Sequence, residues 1–217
     1  MKDEKFKFYA IWLAVVCVVI FVLQVVIPGF TEMFVLDKAA YQNFEVWRFV
    51  SSIFLHGSVI HLVFNMFALI LFGSIAERFI GSRNLLITFF VSGVVANIIS
   101  VGFYDSALGA SGAIFGIIGV LVIVRPLMTI WAFGLPMPMF IAGVLWVIGD
   151  LIGTYGFFVG NPMDNTGNIA HLTGVFVGLL MGVFYRRAGA SEKTIKKFKV
   201  ELDEADIRRW EDVYMDR

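Results

Sequence analysis

Residues 109–124 read GASGAIFGIIGVLVIV, an apolar run opened by Ser111 and closed by Arg125. As a helix, the fourteen residues from Ser111 to Val124 rise about 21 Å. That falls short of a hydrocarbon core of ~30 Å. In a membrane, such a helix must begin below the surface and be reached by a loop, residues 104–110, that dips into the protein. Irregular backbone at that depth is tolerated only where protein or water surrounds it. The stretch therefore predicts a short, recessed helix with Ser111 at the floor of a water-filled cavity. Gly109 and Gly112 flank the serine, where a glycine permits a tight turn and close approach of another backbone.

The rest of the chain agrees with a membrane setting. Of 217 residues, 59% are hydrophobic and only 16% charged, with mean hydropathy +0.85. This is the composition of an all-α polytopic membrane protein. A net charge of zero gives no reason to expect nucleic acid as a partner. The single cysteine, Cys17, excludes an internal disulfide and is read as a packing residue.

Six apolar segments are expected: Phe8 to Ile27, Val59 to Ala76, Leu85 to Phe103, Ser111 to Val124, Met139 to Phe158 and Ile169 to Tyr185. The first is too long for a signal-peptide core and no small-residue cleavage site follows it. With the N-terminus cytoplasmic, only Lys38 and Arg48 of the 17 Lys and Arg residues lie outside, as the positive-inside rule favours. Segments two, four and six then all enter from the outer face. His61 and Asn65 fall in the first turns of segment two, Ser111 opens segment four, and His171 falls in the first turn of segment six. These polar groups share one depth.

That layer has a chemical logic. Polar side chains inside a membrane are costly and mark function. A serine that a histidine can deprotonate is the minimal machinery for covalent attack on a carbonyl. The unpaired N–H groups at the start of the fourth segment, with the helix dipole, suit an oxyanion. His61 and Asn65 are four residues apart, on one helix face, and can donate into the same pocket. No acid stands at the expected place to orient His171, so a Ser–His dyad is expected. Asp150, in the outer half of the fifth segment, is the nearby carboxylate, read first as hydrogen-bonded at a cavity wall and second as a group that orients His171. Gly112, Gly116 and Gly119 in the fourth segment and Gly174, Gly178 and Gly182 in the sixth are small residues that let neighbouring helices pack closely, and packing of the two segments through these faces would bring Ser111 and His171 together. Phe115, one turn below Ser111, is placed to support the imidazole.

Each signal alone has a blander reading: a serine bonded to its own backbone, a structural histidine, a common GxxxG. His56, five residues before His61, is read as a loop anchor, and Ser58 as the N-cap of the second segment. A transporter or channel with a polar path through His61, His171, Asp150 and Asn65 is one alternative. The inner halves of segments two, four and six are apolar apart from Ser74, however, so the cavity looks blind. A non-catalytic membrane-protein binder is the other alternative. A zinc protease would need HExxH, which is absent. An aspartyl protease would need a glycine where Val147 stands before Gly149-Asp150. No cofactor or metal is expected.

At these residues the chain resembles the rhomboid intramembrane serine proteases. Their GxSG motif on the fourth core helix reads Gly109-Ala110-Ser111-Gly112, and AHxxG on the sixth reads Ala170-His171-Leu172-Thr173-Gly174. The HxxxxHxxxN motif places His56, His61 and Asn65, and the first-loop Trp-Arg pair is Trp47-Arg48. The likeness covers roughly residues 8 to 187. It implies a six-helix bundle that cleaves peptide bonds in or near transmembrane segments of substrate proteins. Ser111 would be nucleophile and His171 general base. Asn65, His61 and the Ser111 amide would form the oxyanion hole. Where the family often has tyrosine to support the ring, this chain has Phe115.

The remaining expectations concern organisation. Residues 1–187 form the membrane domain and 188–217 a charged, amphipathic cytoplasmic tail. Both termini are cytoplasmic, in a prokaryotic plasma membrane. The aromatic-rich loop from Gly29 to Ser58 lies partly in the lipid interface. The loop from Val159 to Asn168 is read as a lid, with the fifth segment as the side of substrate entry.

Overall fold

The computed structural model describes residues 7–160 and 167–188. Among the described residues the fold is carried by long helices α1 (Tyr9–Val26), α2 (Val59–Ile80), α3 (Ser82–Ser100), α5 (Met139–Phe158) and α6 (Asn168–Ala188), with the shorter α4 (Ser111–Val124) between α3 and α5 in the sequence. Five are long and apolar enough to cross a membrane, and α4 is a shorter apolar helix. The tail expected beyond residue 188, and residues 161–166 of the expected lid, lie outside the described residues.

Burial separates the helices by role. In α1 the buried residues are Ala10, Leu13, Ala14 and Cys17, one stripe at helical spacing. Trp12, Val15, Val19 and Val22 point outward from the bundle. In α4, by contrast, Gly112 to Ile114 and Gly116 to Leu121 are all buried, the pattern of a helix surrounded by others. Packing rather than apolar burial drives helix association in lipid, and small residues provide it here. A Cβ on Gly112 would come within 2.8 Å of Ala96 Cβ on α3. On the other side of α4, a methyl on Gly174 or Gly178 of α6 would fall on the backbone of Gly112 or Gly116. The expected face-to-face glycine contact of α4 and α6 is present. At Gly73, against α1, the added atom would lie 2.9 Å from Ala10 Cβ.

α2 runs four residues further than its apolar segment suggests, through a widened π-type turn at Leu69–Gly73. The extension brings Glu77 inside, where it is 1% exposed. Its carboxylate accepts from the Tyr9 and Ala10 amides at 3.1 and 3.2 Å and from Ser82 Oγ at 2.6 Å. One acid thus satisfies the otherwise orphaned first amides of α1 and ties them to the start of α3.

The first loop is built rather than slack. Arg48 donates to the carbonyls of Glu32 (2.6 Å) and Val35 (3.0 Å) and pairs with Glu45 at 2.6 Å. A two-residue strand, β1 (Leu36–Asp37), pairs antiparallel with β2 (Ser106–Ala107), and Lys38 bridges to Asp105 at 2.7 Å. Asn97 of α3 donates to Phe49 O and Ser52 Oγ. The loop is thereby clamped to the segment that leads into Ser111. Between α4 and α5, β3 (Thr129–Ala132) and β4 (Leu135–Pro138) form a hairpin. Its two turn residues, Phe133 and Gly134, both have positive φ (54° and 78°), as a twist-matched two-residue turn requires.

Candidate active site

Four helices deliver the polar layer. α2 enters it through Ser58, whose Oγ accepts from the His61 amide at 3.1 Å as the expected N-cap. This sets His61 and Asn65 one turn apart. Asn65 is buried. Both side chains reach the turn before α4: a Cβ on Gly109 would lie 2.8 Å from His61 Cε1 and 3.9 Å from Asn65 Nδ2. Gly109 also has φ of 123°, so glycine is required there by both backbone and space. Its amide donates to Ser52 O at 2.9 Å, fastening the turn to the first loop. Ser111 is then the first residue of α4, half-buried, with no side chain capping the helix start. The free amides of that first turn open beside Asn65 and His61.

His171 comes in from α6. Its ring lies on Phe115 with centroids 4.2 Å apart and planes 6° from parallel. Phe115 is one turn on from Ser111, on the same face of α4. The imidazole therefore sits over the helix face that begins with the serine. Close packing at Gly112, whose added Cβ would lie 3.6 Å from Ala170 O, sets the approach. His61 is near enough to His171 to interact electrostatically. The Ile169 amide donates to Tyr104 Oη at 3.2 Å, joining the start of α6 to the loop before Ser111.

Of the two readings of Asp150, the structure favours the contact with His171 over the cavity wall. An acid does meet His171: Asp150 Oδ1 lies 3.0 Å from His171 Nδ1, both residues being less than a tenth exposed. The contact depends on how α5 is rotated toward α6, which no single-helix pattern reveals. An aspartate in an apolar helix was the signal available. His56 does anchor the loop. Its amide donates to Gln24 Oε1 (3.0 Å), its carbonyl accepts from Gln24 Nε2 (3.3 Å), and its Nδ1 faces Phe54 O (3.2 Å). Burial, and secondly His61, push its pKa down to about 4. Its ring also meets that of His61 edge-on at 5.2 Å. Among the described residues, no three His, Cys, Asp or Glu side chains gather as metal ligands.

A bundle of apolar helices that gathers serine, histidine, asparagine and uncapped amides at one end has the architecture of a membrane-embedded hydrolase. Comparison with known proteins gives the family. The Rhomboid domain matches residues 43–188. Rhomboid protease GlpG of Haemophilus influenzae is 32% identical over 178 residues, covering 78% of this chain and 86% of that protein. Rhomboid-like protease 3 of Toxoplasma gondii is 33% identical over 119 residues, 50% of this chain and 45% of the relative. Rhomboid protease GlpG of Yersinia pseudotuberculosis is 28% identical over 182 residues, 81% of this chain and 62% of the relative. The chain belongs to the rhomboid family. It is a multi-pass membrane protein and a serine endopeptidase of the rhomboid type.

Proposed function

We propose that this chain hydrolyses peptide bonds in or near the transmembrane segments of other membrane proteins, with Ser111 as nucleophile and His171 as general base. Nε2 of His171 takes the Ser111 Oγ proton as Oγ bonds to the scissile carbonyl carbon. The resulting oxyanion accepts hydrogen bonds from Asn65, His61 and the Ser111 amide. When the C–N bond breaks, the proton on Nε2 passes to the leaving amine. Water then hydrolyses the acyl-enzyme by the same route, returning the serine. Gly109 and Gly112 shape the turn, Phe115 holds the ring, His56 fixes the loop, and Gly174 lets α6 close on α4.

The observation that carries this reading is the stack of His171 on Phe115, beside a turn at Gly109 that His61 and Asn65 line. The membrane placement follows from length and charge. All six helices span, with α4 recessed from the outer face, so that Ser111 lies in a water-filled cavity. Residues 1–187 form the protease domain, residues 188–217 a cytoplasmic tail, and both termini face the cytoplasm of a prokaryotic cell. The test is cleavage of a membrane-anchored reporter by the purified protein in detergent with a metal chelator present. Wild type should cleave. His171→Ala should lose at least ~100-fold, the scale of general-base catalysis. Retained cleavage by His171→Ala would refute the assignment.

A further inference from the structure

A buried carboxylate in an apolar helix needs a partner, because an unpaired charge at membrane depth is costly. Asp150 on α5 is 7% exposed. Among the described residues, the one ionisable partner within reach of its carboxylate is the imidazole of His171, at 3.0 Å. No lysine or arginine pairs with it among those residues. Its second oxygen, Oδ2, is buried with no protein partner there, as is Thr154 Oγ1 one turn along the same helix. Among the described residues, the polar contact of this carboxyl group is thus with one ring nitrogen.

The helix register shows that this is a built contact. Asp150 and Gly153 are three residues apart on one face of α5, and Asn168 and His171 are three apart on one face of α6. The two faces meet in antiparallel order. Asp150 lies against His171, and at Gly153 an added Cβ would fall onto the Asn168 side chain, 2.7 Å from its Cγ. The absent side chain at Gly153 lets the outer ends of the helices close, bringing the carboxylate onto the ring one turn deeper. On the ring's face, Phe115 restricts rotation. The other ionisable group beside His171 among the described residues, His61 from α2, is no competing acid.

We infer that Asp150 is a positioning residue that makes the site a three-membered Ser111–His171–Asp150 relay spread over α4, α6 and α5. The inference rests on the assignment of Ser111 and His171 proposed above. Asp150 Oδ1 accepts a hydrogen bond from His171 Nδ1–H. That fixes the neutral ring as the tautomer whose Nε2 lone pair is free to take the Ser111 proton. Once the proton has moved to Nε2, the carboxylate stabilises the imidazolium while remaining ionised, as in soluble serine proteases.

The test uses the full-length protein in detergent, as wild type, Asp150→Asn and His171→Ala. It measures labelling of Ser111 by a fluorophosphonate, reporter cleavage, and the 15N spectrum of the histidine rings, assigned by loss of signals in His171→Ala. The expected result for Asp150→Asn is a kcat lower by ~100–10,000-fold, by analogy with the buried carboxylate of a soluble triad. KM should be unchanged, and the His171 proton should move off Nδ1. A wild-type kcat in Asp150→Asn, or a lowered kcat with the His171 tautomer unchanged, would overturn the inference and leave the Ser–His assignment standing. Should Asp150→Asn fail to fold, the wild-type spectrum decides: a proton on His171 Nδ1 supports the relay, and one on Nε2 refutes it. Absence of labelling in wild type would instead refute the assignment of Ser111, and the relay with it.

Discussion

The imidazole of His171 is parallel to the ring of Phe115, 4.2 Å away, although the two residues come from different helices. Such a stack is worth about 0.5–1.5 kcal/mol beyond burial and holds the base over the serine-bearing face of α4. Phe115→Ala should therefore lower kcat about tenfold, while Phe115→Tyr, which keeps the stack, should stay near wild type. Steady-state cleavage of a transmembrane reporter by both variants measures this.

Asn65 is buried and reaches the Gly109 turn, beside the free amides at the start of α4. Removing one oxyanion donor costs on the order of 100–1000-fold in turnover. Asn65→Ala should lose about that much kcat with little change in KM. A rise in KM alone would assign Asn65 to substrate binding instead.

Glycines of the bundle should differ sharply in tolerance. A methyl on Gly178 meets the Gly116 backbone, whereas one on Gly149 meets nothing within 4 Å. Gly178→Ala should lower stability by at least ~1–3 kcal/mol, the usual cost of overpacking. Gly149→Ala should be neutral or gain up to about 1 kcal/mol, because alanine is the better helix former. Unfolding of each variant in detergent, against wild type, reads the difference.

His56 gives stability a defined pH dependence. Its ring protonates near 6.5 when exposed but only near about 4 in the fold, chiefly through burial. Between those values the unfolded chain binds more protons, so stability is intact above pH 6.5 and falls as pH drops toward 4. His56→Gln should flatten that slope in a series of unfolding midpoints from pH 7 to pH 4. An unchanged slope would move the cause elsewhere.

The parts of this fold legible in the sequence are those that repeat along one helix. Ser58 caps α2 as its position predicts, and the glycine faces of α4 and α6 meet as their three- and four-residue spacings predict. Phe115 stacks because it lies one turn from Ser111. Contacts that depend on how two helices are rotated were not legible. Asp150 and His171 belong to separate helices, and nothing within α5 alone tells which neighbour its aspartate faces. Glu77 was invisible for a related reason. The apolar pattern of the second segment stops at Ala76, while the helix continues because the acid finds the Tyr9 and Ala10 amides. The two-residue pairing of β1 with β2 is too short to leave a periodic signal.

The most direct test is the site of covalent labelling. Wild-type protein and Ser111→Ala are treated with a fluorophosphonate in detergent, digested, and the adduct mapped by mass spectrometry, with reporter cleavage followed in parallel. With Ser111 as nucleophile, the adduct falls on Ser111, cleavage is abolished by that adduct, and Ser111→Ala shows neither labelling nor cleavage. Cleavage by Ser111→Ala at the wild-type rate, or an adduct on another residue that accounts for the loss of activity, would contradict that assignment.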